Sequence, residues 1–221
     1  MVSLSNHRGE HRMRNLPQTD IYAVLSDAHC LGRGNLETAR ALLEAGVKII
    51  QYREKNFPMR RMYGECIAIN RLCREHGACF IVNDDAGLAA ACGAGGLHLG
   101  QDDLPPEAAR RVIGEDMILG LSVTSFDEID TALKNPEVDY LGVGPVFATA
   151  TKADAAPPGG MSLVEYAMKH SRLPVVAIGG ITLDNIGTLA KLGVTCFAMI
   201  SDLVGTADLS QRVSDLRNAA R

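Results

Sequence analysis

Two pairs of adjacent aspartates follow short apolar segments that predict neighbouring β-strands. Asp84 and Asp85 come after one such segment, and Asp102 and Asp103 come after the next one along the chain. Carboxylates at the ends of adjacent parallel strands lie close enough to share one hard cation, and proteins usually hold Mg²⁺ with one or two carboxylates plus the phosphates of a substrate. We therefore predict a site for one Mg²⁺ ion on Asp84 and Asp103.

The spacing leaves alternatives open at this acidic site. Asp85 and Asp102 are alternative ligands, because the sequence does not fix which carboxylate of each pair turns inward. Asp85 and Asp103 are also suited to cap the N-terminus of a following helix, where a carboxylate accepts hydrogen bonds from backbone N–H groups.

Cationic and amide side chains end another predicted strand. Gln51, Arg53 and Lys55 alternate along it, so they share one face, whereas Tyr52 and Glu54 point the other way. A carboxylate pair beside arginine and lysine is suited to a pyrophosphate, because a metal ion bridges its oxygens and the cations neutralise the remaining charge. The alternative is that Arg53 and Lys55 only pair with surface carboxylates, as most surface charges do.

A long segment of small residues, proline and glycine covers positions 147–160 and reads FATATKADAAPPGG. Its length exceeds that of a simple connection between two elements. We interpret it as a mobile lid that brings Thr149, Thr151 and Lys152 over bound ligands. Lys152 would add a third cation to the predicted pyrophosphate site.

A second anion site is predicted near the end of the chain. Gly179 and Gly180 follow one predicted strand, and a turn at Ile200 and Ser201 ends the next. Loops at these positions of a β/α barrel commonly bind a phosphate through backbone N–H groups, and glycine permits the close approach. Paired glycines also serve tight turns, so this signal is weak on its own.

Eight short apolar or β-branched segments alternate with helical patterns along the chain, which is typical of βαβ units on a parallel sheet. The predicted strands are Ile21–Leu25, Val47–Tyr52, Cys79–Asn83, Gly96–Leu99, Ile118–Val123, Tyr140–Val143, Val175–Ile178 and Cys196–Ile200. The helical patterns are clearest at Leu36–Glu44, Met59–Glu75, Pro106–Ile113, Phe126–Leu133, Leu163–His170, Asp184–Lys191 and Leu209–Ala219. Ser125 and Ser162 are predicted N-caps of two of these helices.

These elements indicate how the polar residues are brought together. Eight strands with eight crossovers predict a single-domain (β/α)₈ barrel in preference to an open doubly wound sheet, and no GxGxxG motif follows the first strand. In such a barrel the strand interiors are apolar, and chemistry is assembled at the carboxyl ends of several strands. The predicted site residues would therefore all face one mouth.

Composition sets further bounds. The chain has 221 residues, 47% of them hydrophobic, enough for one core, which we expect in residues 17–221 behind a flexible tail at residues 1–16 that lacks the apolar segment of a secretory signal. A net charge of −4 without a long basic run argues against nucleic acid or membrane partners. Six cysteines without a CxxC pair indicate reduced thiols in the cytoplasm. A homo-oligomer is compatible with the sequence.

Six motifs resemble the thiamine-phosphate synthase family in order and spacing. They are QYREK at Gln51–Lys55, VNDD at Val82–Asp85, HLGQDD at His98–Asp103, GLS at Gly120–Ser122, GVGPVFATATK at Gly142–Lys152 and AIGGI at Ala177–Ile181. The resemblance runs from about Ile21 to Gly205.

The resemblance implies a reaction and small-molecule substrates. Members of the family couple 4-amino-2-methyl-5-hydroxymethylpyrimidine pyrophosphate to 4-methyl-5-hydroxyethylthiazole phosphate, release pyrophosphate and require Mg²⁺. The implied reaction is dissociative, because the electron-rich aminopyrimidine can carry positive charge once the leaving group departs. Metal ion and cations would then stabilise the departing negative charge, and a closed pocket would exclude water.

The resemblance also implies a role for each site residue. Asp84 and Asp103 are implied to hold the metal ion. Contacts to the pyrophosphate are implied for Arg53, Lys55, Asn83 and Lys152, orientation of the pyrimidine for Gln51 and Ser122, and contacts to the thiazole phosphate for Thr149, Thr151, Gly180, Ile200 and Ser201. Tyr52 and Glu54 are assigned to substrate binding as members of the QYREK segment. Catalytic contributions are implied for Arg53, Lys55, Ser122 and Lys152.

The chain departs from the family pattern around the eighth strand. Cys196 and Phe197 stand where small residues, or glycine followed by valine, are usual, and Asp202 stands where alanine usually follows the serine. A carboxylate at this position would repel a phosphate unless it points away as a helix cap.

Two other functions compete with the synthase. One is a thiazole-phosphate tautomerase paralogue, which has the same barrel and binds a thiazole carboxylate phosphate without coupling it. The other is a ligand-binding regulator that has kept the pocket and lost turnover. The complete set of cations and carboxylates favours the synthase.

Overall fold

The eight predicted strands form a closed parallel barrel in the computed structural model, which describes residues 14–149 and 159–221. The strands are β1 (Ile21–Leu25), β2 (Ile49–Tyr52), β3 (Cys79–Asn83), β4 (Gly96–Leu99), β5 (Ile118–Val123), β6 (Tyr140–Val143), β7 (Val175–Ile178) and β8 (Cys196–Met199). Each strand pairs with the next one in the sequence, and β8 pairs with β1 through Phe197 and Ile21, which closes the sheet. The predicted (β/α)₈ barrel is confirmed.

Helices between the strands form the outer layer. The helices in the described part of the chain are α1 (Gly34–Glu44), α2 (Met59–Glu75), α3 (Ala86–Ala91), α4 (Pro106–Ile113), α5 (Phe126–Ala132), α6 (Gly160–His170), α7 (Ile186–Ala190), α8 (Ser201–Val204) and α9 (Leu209–Ala219). Neighbouring helices pack against each other, and α9 packs against α1, so the outer layer also closes. None of these described helices is long and apolar enough to span a membrane.

Side chains of each strand alternate between two buried regions. Tyr22 and Val24 of β1 lie in an apolar cluster inside the barrel, whereas Ile21 and Leu25 lie in the larger cluster between the strands and the helices. Because both faces of a parallel barrel strand are buried, the strands appear in the sequence as continuous apolar segments. The carboxyl ends of these segments are where polar side chains begin.

The chain packs against the barrel before the first strand begins. Leu16 lies in the cluster inside the barrel, and Arg14 pairs with Asp139 at 2.9 Å. Residues 14 and 16 therefore contact the barrel ahead of the predicted boundary at residue 17.

Most element boundaries match the prediction, and the exceptions have local causes. Ser125 caps α5 by accepting a hydrogen bond from the Glu128 N–H, as predicted. The predicted cap at Ser162 is wrong, because α6 begins at Gly160 and the Ser162 hydroxyl donates to the carbonyl of Gly159. α3 lies outside the predicted helices, since its six residues, AGLAAA, have no polar face to give a helical period.

Candidate active site

A cavity of about 580 Å³ opens at the carboxyl ends of the barrel strands. Its lining brings together eleven of the predicted site residues, namely Gln51, Arg53, Lys55, Asn83, Asp84, Asp103, Ser122, Thr149, Gly180, Ile200 and Ser201. Thr151, Lys152 and most of the predicted lid lie outside the described residues. The cavity is large enough for a small-molecule ligand and carries polar groups from several strands, as binding sites in this fold do.

The carboxylates of the first aspartate pair have separate tasks. Asp85 caps α3, because its Oδ1 accepts a hydrogen bond of 2.7 Å from the Leu88 N–H. Asp84 has a left-handed backbone with φ of 64°, and its side chain lines the cavity. Asp84 Oδ2 lies 2.8 Å from Lys55 Nζ. Of the two carboxylates, Asp84 is therefore the one that faces the cavity.

Asp103 adjoins Asp84 from the loop after β4. Its Oδ2 accepts a hydrogen bond of 2.6 Å from the Gly100 N–H, and α4 has Pro105 rather than Asp103 as its N-cap. Partial burial raises the pKa of Asp103, the Gly100 N–H opposes this, and hydrogen-bonding contact with Asp84 raises the pKa further. Two carboxyl groups in contact are a donor set for a cation. Asp102 also lines the cavity, so it remains an alternative ligand.

Tyr52 and Glu54 do not line the cavity, so the structure corrects their assignment to direct substrate contact. Tyr52 is buried among the helices, and its hydroxyl donates to Glu65 Oε2 at 2.9 Å. Glu54 Oε1 accepts hydrogen bonds from Asn35 Nδ2, at 2.9 Å, and from the Asp27 N–H. The physical reason is strand alternation, which turns the residues between Gln51, Arg53 and Lys55 outward.

These outward side chains hold the end of β2 in place. Asn35 Nδ2 also donates to Glu65 Oε2 at 2.9 Å, so one amide joins Glu54 to Glu65. Burial raises the pKa of Glu65, but the hydrogen bonds from Asn35, Arg61 and Tyr52 outweigh it and leave the pKa lowered. The ionised carboxylate of Glu65 is therefore the form that supports this segment.

The floor of the cavity is a chain of hydrogen bonds across the barrel interior. Gln51 Nε2 donates to the Tyr22 hydroxyl at 2.7 Å, and that hydroxyl lies 2.8 Å from the Tyr140 hydroxyl. His98 Nδ1 lies 2.8 Å from the Tyr140 hydroxyl, and His98 Nε2 lies 2.8 Å from Ser122 Oγ. Two predicted site residues, Gln51 and Ser122, are thus joined through three residues that the sequence analysis did not assign to the site.

The opposite side of the cavity is built around the two glycines after β7. Gly179 and Gly180 have φ of 98° and 64°, and a Cβ on Gly180 would come within 2.5 Å of the Ala148 carbonyl oxygen. The Phe147 N–H donates to the Gly179 carbonyl at 3.0 Å. These positions need glycine, because the loop after β6 crosses directly over them.

The departures from the family pattern do not reach the cavity. Asp202 Oδ2 accepts a hydrogen bond of 3.1 Å from the Leu183 N–H and lies 3.8 Å from Arg212 Nη1. Phe197 lies in the layer between strands and helices, and Cys196 lies in the cluster inside the barrel. The expected conflict between Asp202 and a bound phosphate is therefore absent, because this carboxylate points toward Leu183.

The cavity also contains polar residues that had no assigned role. These are His29, His98, Gln101, Thr124 and Thr182. Gln101 Nε2 donates to the Ser122 carbonyl at 2.7 Å, so Gln101 supports the backbone near the carboxyl end of β5. His98 stood within a family motif and points inward by strand alternation, a signal that the sequence already contained.

Comparisons with known proteins agree on one family. Residues 21–203 match the family model described as thiamine monophosphate synthase. A thiamine-phosphate synthase from Pelotomaculum thermopropionicum is 44% identical over 93% of this chain and 94% of that protein. Another from Lawsonia intracellularis is 42% identical over 90% of this chain and 92% of that protein. A solved thiamine phosphate pyrophosphorylase from Pyrococcus furiosus has a TM-score of 0.83 and 35% identity, covering 94% of this chain and 96% of that one.

Proposed function

Because this chain belongs to the thiamine monophosphate synthase family, we propose that it is a transferase that joins a pyrimidine pyrophosphate to a thiazole phosphate. The substrates would be 4-amino-2-methyl-5-hydroxymethylpyrimidine pyrophosphate and 4-methyl-5-hydroxyethylthiazole phosphate, and the products thiamine phosphate and pyrophosphate. The family match covers residues 21–203, which include all eight barrel strands.

One observation carries this proposal. Lys55, Arg53, Asp84 and Asp103 converge on one cavity, and Lys55 Nζ contacts Asp84 Oδ2 at 2.8 Å. Cations beside a carboxylate pair are suited to a pyrophosphate that carries a divalent metal ion. A tautomerase that handles a single phosphate has no use for this combination.

The residues at the acidic end fit Mg²⁺. Asp84 and Asp103 supply carboxylate oxygens, the ligands that Mg²⁺ prefers. Burial, together with the neighbouring Asp84 carboxylate, raises the pKa of Asp103, as expected for a pair that a cation would neutralise. Within the described ranges no group of three or more His, Cys, Asp or Glu side chains is arranged for a metal ion. We propose that two carboxylates hold the ion and that substrate phosphates complete its coordination. Held by these carboxylates, Mg²⁺ would supply positive charge that neutralises the pyrophosphate.

The protein's own groups would stabilise the departing charge. Arg53, Lys55 and Asn83 line the cavity beside the acidic pair, where they can contact the pyrophosphate oxygens as the bond to the pyrimidine methylene breaks. We also assign Lys152 to this leaving group, on the family motif. The electrons of the C–O bond leave with pyrophosphate, and the thiazole nitrogen then donates its lone pair to the methylene carbon. Fixed donors around developing charge are the largest source of rate enhancement in such sites.

The second substrate would lie against the glycine turn. Gly180, Ile200 and Ser201 line the same cavity, and the loops after β7 and β8 commonly bind phosphate in this fold. We propose that these residues, with Thr149 and Thr151, hold the thiazole phosphate. The direction of the Asp202 side chain supports this, because its carboxylate accepts from the Leu183 N–H and does not face the anion.

Partners and compartment follow the same proposal. We propose small molecules as partners rather than nucleic acid or membranes, and a cytoplasmic site for the reaction. All six cysteines are free, which supports a reducing compartment. A homo-oligomer remains compatible with the proposal.

The proposal is tested by mixing both substrates with the purified protein, with Mg²⁺ or with a chelator. Thiamine phosphate that forms only with Mg²⁺ is the expected result. Isomerisation of a thiazole carboxylate phosphate without coupling would identify the tautomerase paralogue instead. Binding of both ligands without product would identify a regulator.

A further inference from the structure

The interior of the barrel is shaped to hold three aromatic side chains in contact. A Cβ on Gly120 would overlap the Tyr140 ring, and a Cβ on Gly142 would come within 2.9 Å of His98 Cε1. The rings of Tyr140 and His98 lie 5.4 Å apart, and those of Tyr140 and Tyr22 lie 6.2 Å apart. Glycines on β5 and β6 therefore make the room that Tyr140 and His98 fill.

The hydrogen bonds among these groups have one consistent direction. Gln51 Nε2 donates to the Tyr22 oxygen, and the Tyr140 oxygen is the other partner of that hydroxyl among the described residues. We therefore assign the Tyr22 hydroxyl as the donor to Tyr140, because its buried hydrogen would otherwise lack an acceptor. With this assignment the hydrogen of the Tyr140 hydroxyl is left for His98 Nδ1, which then accepts it. An imidazole that accepts at Nδ1 carries its proton on Nε2 when neutral.

The two ends of this chain reach the cavity with opposite polarity. In that tautomer His98 Nε2–H donates to Ser122 Oγ, so the Ser122 hydroxyl hydrogen is the group that the serine offers to a ligand. Gln51 uses its Nε2 on Tyr22, so its Oε1 is offered as an acceptor. Both residues line the cavity. The floor therefore presents one acceptor and one donor.

We propose that Tyr22, Tyr140 and His98 are positioning residues that fix this polarity and thereby select an aminopyrimidine over the corresponding oxopyrimidine. The proposal rests on the proposed function, since it concerns the substrate ring. An exocyclic amine donates and the adjacent ring nitrogen accepts, which matches Gln51 Oε1 and the Ser122 hydroxyl. In the oxo compound the carbonyl accepts and the ring N–H donates, which reverses both contacts and leaves buried polar groups unpaired.

Burial keeps the two tyrosine hydroxyls of this hydrogen-bonded chain protonated. Burial raises the pKa of Tyr22 and of Tyr140 well above that of an exposed tyrosine, so both hydroxyls retain their hydrogens. Both lie in the apolar cluster inside the barrel and neither lines the cavity, which separates this selection from leaving-group chemistry.

The test compares ligand binding in wild type and in Tyr140→Phe, which removes the central hydroxyl and keeps the ring. The ligands are the amino and oxo forms of the 2-methyl-5-hydroxymethylpyrimidine monophosphate, which have no pyrophosphate to lose, so binding is measured without chemistry. We expect the wild type to prefer the amino form and Tyr140→Phe to reduce that preference by about 5- to 10-fold, the scale of one hydrogen bond. Tyr22→Phe should do the same from the Gln51 side.

Tyr166→Phe is the matched control, because it also removes a tyrosine hydroxyl, one bonded to Asp130 outside the barrel. It should leave the amino preference unchanged. An unchanged preference in folded Tyr140→Phe and Tyr22→Phe, or a wild type without preference, would overturn the proposal.

A second measurement is made on the wild-type protein. The ¹⁵N chemical shifts of the His98 ring in the wild-type protein, identified by their loss in His98→Gln, should indicate a neutral ring with its proton on Nε2. A proton on Nδ1 would overturn the assigned direction. If the predicted tautomer and preference are found but no thiamine phosphate forms, the proposed function fails and the selection of the ring stands. If thiamine phosphate forms but the preference is absent, the proposed function stands and the selection of the ring by these residues fails.

Discussion

Lys55 Nζ lies 2.8 Å from Asp84 Oδ2, and burial together with the neighbouring Asp84 carboxylate raises the pKa of Asp103, so a cation and two carboxylates that follow three consecutive strands lie close together. Charges of opposite sign in contact at a cavity wall are suited to exchange partners when a charged ligand enters. In our account, Lys55 binds the pyrophosphate and the carboxylates bind its metal ion.

Lys55→Ala should lower kcat/KM for the pyrimidine pyrophosphate by about 10²-fold, the scale of one preorganised electrostatic group. The KM for thiazole phosphate should change little, since Lys55 lies on the acidic side of the cavity. Steady-state kinetics with each substrate varied in turn checks this. Lys48→Ala, which removes a lysine bonded to the His76 carbonyl, is the control and should behave as wild type. A selective loss at the thiazole phosphate would assign Lys55 to the other anion.

Gly180→Ala should destabilise the fold by about 1–3 kcal/mol, because the position has a left-handed backbone and the new Cβ would meet the Ala148 carbonyl. Thiazole phosphate affinity should fall as well. Gly64→Ala is the matched control within α2, where a Cβ meets nothing within 4 Å, and it should stabilise by about 0.5–1 kcal/mol. Urea unfolding measures both free energies. Equal effects of the two substitutions would contradict the account of the Gly180 turn.

Asp202→Ala should leave thiazole phosphate affinity unchanged, because its carboxylate accepts from the Leu183 N–H. The free energy of unfolding should fall by about 1 kcal/mol, as expected for one lost hydrogen bond. The neighbouring Ser201→Ala, at the cavity wall, should instead weaken thiazole phosphate binding. Calorimetric titration of both variants separates the two residues. Tighter phosphate binding by Asp202→Ala would mean that this carboxylate does face the anion.

Glu65→Gln should change how stability depends on pH. The pKa of Glu65 is lowered in the folded protein, so its ionised form stabilises the fold above the unfolded-state pKa. That contribution is lost as the pH falls through the lower folded-state pKa. The difference in unfolding free energy between wild type and Glu65→Gln should therefore shrink as the pH falls from neutrality to about 3. A difference that does not vary with pH would mean that the Glu65 charge has no such role.

Much of the fold follows from the sequence, since strands buried on both faces give continuous apolar segments whose ends are easily found. The shared face of Gln51, Arg53 and Lys55 also follows, because side chains alternate strictly along a strand. The same rule turns Tyr52 and Glu54 away from the cavity, although both belong to the QYREK motif.

Other features of the site depend on contacts that no local pattern contains. The choice between Asp84 and Asp85 is decided by the left-handed backbone at Asp84 and by the cap that Asp85 supplies to α3. The chain from Gln51 to Ser122 requires Tyr22 and Tyr140 to meet, although β1 and β6 are distant in sequence. Spacing along the chain does not encode such contacts across the barrel.

The central claim is that Asp84 helps to hold the metal ion. Comparing Asp84→Asn with Asp85→Asn tests it most directly, with thiamine phosphate measured as the Mg²⁺ concentration is varied. Asparagine tolerates the left-handed backbone at position 84 and can cap a helix at position 85, so both variants should fold. We predict that Asp84→Asn lowers turnover by at least about 10²-fold and requires more Mg²⁺, whereas Asp85→Asn resembles wild type. Near-normal turnover and Mg²⁺ dependence in Asp84→Asn would contradict the assignment of the metal site.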